Sequence, residues 1–126
     1  MNKAIGLWID HRETVLVSLT NKGEETRRIE SGMEKHVRFS SGAEQVTDED
    51  IRDRRFTNHL NTYYADVIVS LRDADSILIF GPGEAKGELA KRLGSENLTE
   101  RIVRIETVDK LTERQIGARV REYFHQ

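Results

Sequence analysis

The sequence predicts an α/β domain built on a mixed five-stranded sheet with helices on both faces. Three observations support this class: alternating apolar residues at the start of the chain, apolar residues at helical spacing after residue 51, and two short apolar runs that alternate with helical stretches. With 126 residues, 37% of them hydrophobic, the chain is long enough to bury one core without disulfide or metal support. We therefore expect residues 1–126 to form a single domain.

Composition excludes several classes of protein. The chain has no cysteine, so a thiolate nucleophile, a disulfide framework and a cysteine-ligated zinc or iron–sulfur site are all ruled out. Because 20 basic residues nearly balance 22 acidic ones, any contact with nucleic acid must come from a local patch. The start of the chain lacks a signal peptide and no segment reaches the roughly 18 apolar residues of a membrane span, so a cytoplasmic location without membrane contact is expected.

Three strands are predicted at the start of the chain. Residues Ala4 to Ile9 are apolar on both faces, which is typical of a central strand. Thr14 to Leu19 forms the second strand, and the more polar Glu24 to Glu30 is expected at an exposed edge that charge protects from aggregation. Asp10 follows the first strand, where its carboxylate is expected to accept hydrogen bonds from the turn backbone.

Helices and strands alternate in the rest of the chain. The predicted ranges are a helix from Ile51 to Leu71, a strand from Ser76 to Phe80, a helix from Glu84 to Leu93 closed by Gly94, a strand from Arg101 to Glu106 and a helix from Leu111 to Phe124. The resulting order, β-β-β-α-β-α-β-α, combines an antiparallel meander with right-handed crossovers. This is the ribonuclease H-like arrangement, in which the first strand lies near the middle of the sheet.

The segment from Ser31 to Asp50 shows no periodicity, and connections of this length tend to be functional. Basic residues bracket it. They could converge into a patch that neutralises RNA phosphates, or they could form a solvated surface together with the acidic residues interleaved among them. The candidates for RNA binding are Arg38, Arg52, Arg54, Arg55 and His59, and Arg27, Arg28, Lys35 and His36 also lie before or within the segment.

The turn from Gly81 to Gly83 precedes a predicted helix that carries Lys86 near its start. Free backbone N–H groups and a lysine at a helix N-terminus can hold a phosphate or carboxylate, so Gly83 and Lys86 are candidates for anion binding. The spacing matches neither the P-loop nor the dinucleotide-binding pattern. A purely structural turn, with Glu84 as the favourable first-turn acid, is the alternative.

We expect no metal site and no cofactor. Asp10 ends the first strand, where ribonuclease H-like nucleases keep a metal-binding carboxylate, and a two-metal site would need further carboxylates such as Asp53 or Asp66. The histidines lack metal-ligand spacing and are interpreted as isolated surface residues. These are His11, His36, His59 and His125, while Trp8, Tyr63 and Tyr64 are interpreted as core residues.

Two segments, AIGLWIDHRETVLVSL (Ala4 to Leu19) and SILIFGPGEAKGEL (Ser76 to Leu89), together with the long helix after an irregular loop, resemble the middle domain of the eukaryotic and archaeal peptide-chain release factor 1 family and its relative Pelota. The resemblance extends from about Ala4 to Phe124. The matching positions are Asp10, the turn from Gly81 to Gly83, Lys86, Glu88 and Leu89. It implies a free-standing middle domain, as in some bacterial relatives, with the ribosome or tRNA as partner.

In release factors, the loop after the third strand carries a Gly-Gly-Gln motif that promotes hydrolysis of peptidyl-tRNA. Here that loop contains Gly42-Ala43-Glu44-Gln45, in which Ala43 restricts the backbone and Glu44 adds a negative charge where tRNA phosphates would lie. The resemblance therefore implies a translation-associated module that binds RNA or the ribosome without that motif. Two alternatives stay open: a peptidyl-tRNA hydrolase-like rescue factor in which Gln45 positions the attacking water, and a protein-interaction domain that forms a homodimer through its exposed strand edge.

Overall fold

The computed structural model describes residues 3–32 and 49–125, with residues 49–59 described as backbone. These residues form five strands and three helices in the predicted order. The strands are β1 (Ala4–Ile9), β2 (Glu13–Thr20), β3 (Gly23–Glu30), β4 (Ser76–Gly81) and β5 (Ile102–Thr107), and the helices are α1 (Glu49–Leu71), α2 (Ala85–Ser95) and α3 (Glu113–Phe124), with a 3₁₀ turn at Thr99–Arg101.

The strands form one mixed sheet in the order β3-β2-β1-β4-β5. The first three strands are antiparallel neighbours, and β1, β4 and β5 run parallel. This arrangement confirms the predicted mixed sheet and the central position of β1. All but one of the β3 residues are exposed, as predicted for a charged edge.

Helices cover both faces of the sheet because β1 is apolar on both sides. Ile5, Leu7 and Ile9 pack in a core with residues of α1 and α2. Trp8 points to the opposite face, where it packs in a second core that includes Ile116 and Val120 of α3. Trp8, Tyr63 and Tyr64 are each no more than 2% exposed, which confirms their interpretation as packing residues.

The helix boundaries differ from the prediction by one to two residues, and the end of α2 shows why. Gly94 lies inside α2, which continues to Ser95, and the left-handed backbone conformation occurs at Asn97 with φ of 62°. Leu98 N–H then donates to the carbonyl of Leu93 at 2.9 Å, so the chain reverses after the helix without glycine.

The last helix begins after Thr112 rather than at Leu111. Its first turn is closed by a capping box, in which the Thr112 hydroxyl accepts from the Gln115 N–H at 3.1 Å and the Gln115 side chain accepts from the Thr112 N–H at 2.9 Å. This reciprocal pair satisfies two backbone donors that the helix leaves open. In the described part of the chain, no helix is long and apolar enough to cross a membrane.

Candidate functional site

The candidate site lies at the carboxyl end of the sheet, where the parallel strands β1, β4 and β5 all finish. The turn at Asp10 follows β1 and the turn at Gly81–Glu84 follows β4. Polar residues that are distant in sequence therefore meet at this end, which is the usual location of ligand sites in α/β sheets.

Asp10 acts as a turn residue. Its Oδ1 accepts from the backbone N–H groups of Arg12 at 2.8 Å and Glu13 at 2.9 Å, which confirms its predicted role. The Tyr63 hydroxyl bonds to the Asp10 carbonyl at 2.9 Å and to Thr14 Oγ1 at 2.6 Å, and so ties α1 to the turn. Burial raises the pKa of Tyr63, which keeps its hydroxyl neutral at physiological pH.

Carboxylates do not gather around Asp10 in the described residues. Asp66 is exposed on α1, and Asp53 belongs to the residues that the structure describes as backbone only. Within residues 3–32 and the described side chains after residue 59, no group of three His, Asp or Glu side chains is arranged to hold a metal ion.

His11, Glu88 and Tyr64 form a cluster that sequence reasoning missed. His11 Nε2 lies 3.0 Å from Glu88 Oε1, and the Tyr64 hydroxyl donates to the same oxygen at 2.5 Å. The interpretation of His11 as an isolated surface histidine is therefore wrong, because the fold packs the β1–β2 turn against the first turn of α2. A usable signal was present, since polar residues that follow parallel strands converge at one end of a sheet.

Electrostatics favour an ionised Glu88 in this cluster. Burial by itself would raise the pKa of Glu88, but hydrogen bonds from Tyr64 and His11 outweigh it and hold the pKa below its ordinary value. Burial, together with the carboxylate of Glu88, raises the pKa of Tyr64 and keeps it a neutral donor. A carboxylate bonded to Nε2 fixes the orientation of the His11 imidazole ring.

A shallow cavity of about 360 Å³ opens beside this cluster, between α1 and α2. The Arg92 guanidinium stacks over the Tyr64 ring at 4.9 Å and donates to Asn61 Oδ1 at 2.5 Å. The cavity thus combines an ionised carboxylate with a basic rim. Its lining residues are Leu60, Tyr64, Glu88, Lys91 and Arg92.

The predicted anion-binding pair, Gly83 and Lys86, comes together in the turn before α2. The Lys86 ammonium donates to the Gly83 carbonyl. Glu84 is the N-cap residue: its carbonyl accepts from the N–H groups of Gly87 and Glu88, both at 3.0 Å, and its side chain makes no cap hydrogen bond. Lys86 therefore lies at the helix N-terminus with its ammonium held against the turn.

The basic residues after the irregular segment lie on a part of α1 that extends past the sheet. Tyr63 contacts the Asp10 turn at the carboxyl end, while Asp75, beyond the end of the helix, donates its N–H to the Lys3 carbonyl near the start of β1. The helix therefore runs antiparallel to β1. At 1.5 Å per residue, its first turns reach about 20 Å beyond Tyr63. We call residues 49–59 the α1 extension; Arg52, Arg54, Arg55 and His59 belong to it.

The basic residues of β3 are engaged in local contacts. Arg28 forms ion pairs with Glu13 at 3.0 Å and Glu113 at 3.5 Å, and Arg27 donates to the Ser70 hydroxyl at 3.4 Å. The remaining candidates, Arg38 and Gln45, and also Lys35 and His36, lie outside the described residues.

No family model and no curated protein sequence matches this chain. Among solved structures it is similar to the Pelota protein of Thermoplasma acidophilum, with a TM-score of 0.57 and 15% identity over 99% of this chain and 32% of that one. Pelota of Archaeoglobus fulgidus gives 0.59 and 14% over 97% and 31% of the two chains. An archaeal translation termination factor, aRF1, gives 0.53 and 12% over 98% and 39%.

These similarities establish the fold of the chain. The chain spans about a third of the length of the structures it matches, so its fold corresponds to a domain-sized part of each. The predicted resemblance to a domain of Pelota and release factors is thereby confirmed at the level of the fold.

Proposed function

We propose that this protein is a translation-associated module that binds ribosomal or transfer RNA through the α1 extension and the irregular segment before it. The observation that carries the proposal is the near full-length similarity of its fold to part of a translation termination factor. A fold can serve unrelated functions, so the proposal also needs a surface suited to RNA.

We place this surface at the carboxyl end of the sheet. The sequence of the α1 extension contains three arginines and a histidine, interleaved with Glu49, Asp50 and Asp53, and Lys91 and Arg92 line the cavity beside Glu88. We also propose Gly83 and Lys86, in the turn before α2, as an anion-binding position in the same region. RNA binding of this kind depends on phosphate neutralisation and is therefore sensitive to salt. The proposed RNA contacts are Arg38, Arg52, Arg54, Arg55 and His59.

The proposal is tested by co-sedimentation of the purified protein with ribosomes and with separated subunits at low and moderate salt. Alanine replacement of Arg52, Arg54 and Arg55 should abolish binding at moderate salt and weaken it at low salt, because three phosphate contacts are lost. Thermal unfolding of the variant establishes that it is folded.

A matched control removes the same charge from the opposite end of the sheet. Lys22, Arg72 and Arg121 lie in the β2–β3 turn, just after α1 and in the last turn of α3. Their triple alanine variant should bind ribosomes as the unmodified protein does. Equal weakening by both triple variants would mean that only net charge matters, and absence of binding at either salt would remove the RNA proposal and favour a protein partner.

Hydrolysis of peptidyl-tRNA is a second candidate function, because Gln45 lies in the loop that corresponds by the resemblance to the Gly-Gly-Gln loop of release factors, although the motif itself is absent. It would use the same RNA surface and add a chemical step. The two candidates therefore predict the same ribosome binding and differ only in turnover.

A further inference from the structure

The second edge strand of the described sheet, β5, exposes large apolar side chains, whereas β3 does not. Val103 and Ile105 on β5 are 44% and 45% exposed, and they are two of the three large hydrophobic residues exposed in the described side chains. On β3 the one strongly apolar residue, Ile29, is partly buried against the core. Exposed apolar residues on an edge strand mark a position where another strand can add.

The backbone of β5 shows which groups are open for such pairing. Val108 N–H donates to the Gly81 carbonyl at 3.0 Å, and Glu106 lies opposite Phe80 in the parallel ladder. In a strand, the N–H and carbonyl groups of residues i, i+2 and i+4 point to the neighbouring strand on one side, and those of the residues between them point to the other side. Arg104 and Glu106 therefore bond towards β4, whereas the N–H and carbonyl of Ile105 point away from the sheet.

The side chains of β5 are complementary to a second copy of the same strand. If two β5 strands pair antiparallel with a two-fold axis at Ile105, each Arg104 lies opposite the partner's Glu106. Arg104 and Glu106 already lie on one face of the strand, with Nε and Oε2 at 3.2 Å, and the Arg104 side chain is 59% exposed. In an antiparallel ladder this would be a non-hydrogen-bonded pair, in which facing side chains are closest.

We propose that two copies of this protein associate through antiparallel pairing of their β5 strands, centred on Ile105. The two Ile105 residues exchange both of their backbone hydrogen bonds and cover each other's side chains, and two Arg104–Glu106 pairs set the register. In the pairing of β4 with β5, Ile77 lies opposite Ile102 and Leu78 lies opposite Arg104, so Val103 is an extra residue in β5. Regular geometry of β5 therefore begins at Arg104, and we expect the pairing between the two copies to begin there too. This dimer does not depend on RNA binding.

The test is the molar mass of the RNA-free protein, measured by sedimentation velocity over a wide range of concentration. The mass should rise towards that of a dimer with concentration. Arg104→Glu should raise the dimer dissociation constant about tenfold or more, because two attractive pairs become repulsive. Glu106→Arg should do the same, and the double variant Arg104→Glu/Glu106→Arg should recover most of the affinity, since the pairs reform with reversed sign.

Two further variants separate dimerisation from folding. Ile105→Lys places a charge on the pairing axis and should leave the protein monomeric but folded, with unfolding followed by circular dichroism. Glu25→Arg on β3 is the matched control for the other edge and should leave the mass unchanged. The proposal is overturned by a monomer at every concentration, by a dimer that Ile105→Lys leaves intact, by absence of recovery in the double variant, or by dissociation with Glu25→Arg.

Discussion

Gly81, at the end of β4, passes so close to β1 that a Cβ atom would overlap the carbonyl oxygen of Ile9. Because the obstacle is backbone in the centre of the sheet, neither strand can move aside cheaply. Gly81→Ala should therefore lower the free energy of unfolding by about 1–3 kcal/mol, measured by urea denaturation. Gly87→Ala is the matched control, because a Cβ there meets nothing within 4 Å and alanine favours a helix; we expect a gain of about 0.5–1 kcal/mol. Equal effects at both glycines would contradict this explanation.

Glu88 should make stability depend on pH. Its pKa is held below the ordinary 4.5 despite burial, by hydrogen bonds from Tyr64 and His11. A lowered folded-state pKa contributes stability that is present above the unfolded pKa and lost as pH falls through the folded pKa. Glu88→Gln should thus cost about 1 kcal/mol at neutral pH, since a half-exposed carboxylate is partly screened, and almost nothing in strong acid.

The measurement is the urea midpoint of both proteins across the acidic range. Tyr64→Phe removes the buried hydroxyl without changing the charge and should reproduce much of the neutral-pH loss. Glu84→Gln, one turn away at the N-cap, controls for the loss of one negative charge. A difference between the Glu88 variant and the unmodified protein that persisted unchanged into strong acid would exclude the ionised carboxylate as its source.

At the scale of elements, α3 packs closely on β1 because Gly6 of β1 has no side chain. A Cβ at Gly6 would overlap Val120 Cγ2 and lie 2.9 Å from its Cγ1, and Val120 is fully buried. Gly6→Ala should therefore cost about 1–3 kcal/mol by forcing α3 outward. Val120→Ala should cost about 2 kcal/mol through the cavity it leaves.

Combining these two substitutions tests the contact directly. The Gly6→Ala/Val120→Ala double variant should lose less stability than the sum of the single losses, because the added methyl group occupies part of the space that valine vacates. Leu93→Ala on α2 packs in the core on the other face and serves as the control, since its loss should add to that of Gly6→Ala. Additivity with Val120→Ala would mean that the strain at Gly6 arises elsewhere.

For the molecule as a whole, the two candidate functions differ in what the chain does to peptidyl-tRNA. A module that only binds RNA leaves the ester intact, whereas a rescue factor releases the peptide. If Gln45 positions the attacking water, Gln45→Ala should lower the rate of release by about a hundredfold or more while ribosome binding is unchanged. The assay is release of labelled peptide from ribosome-bound peptidyl-tRNA, with Asn21→Ala in the exposed β2–β3 turn as a control for loss of an amide. Release at equal rates with and without Gln45 would remove this residue from the chemistry.

Most of the fold could be predicted because its signals are local. The doubly apolar β1, the helical spacing between Tyr63 and Leu71, and the short apolar run of β4 each reflect how a segment buries its own side chains. Helix ends were less predictable because several residues compete to end a helix. The sequence pattern predicted that Gly94 ends α2, but the residue with the left-handed backbone conformation after the helix is Asn97.

The candidate site was harder to predict because its contacts join distant parts of the chain. His11 and Glu88 are 77 residues apart, and no spacing rule connects them. The proximity of Gly83 and Lys86 could be predicted because both lie in one turn, and anion binding by the two residues stays a prediction. The three arginines of the α1 extension, and the Glu49, Asp50 and Asp53 interleaved with them, could be read directly from the order of its residues.

The amino-acid order alone specifies the type and sequence of the elements, since burial periodicity and turn chemistry act over a few residues. Folding in three dimensions establishes what those elements present to a partner. It aligns the ends of β1 and β4, which brings His11 to Glu88, and it leaves β5 at an edge with the backbone of Ile105 unpaired among the described residues. These contacts depend on strand order and direction, which arise from the packing of the whole sheet between its two helical layers.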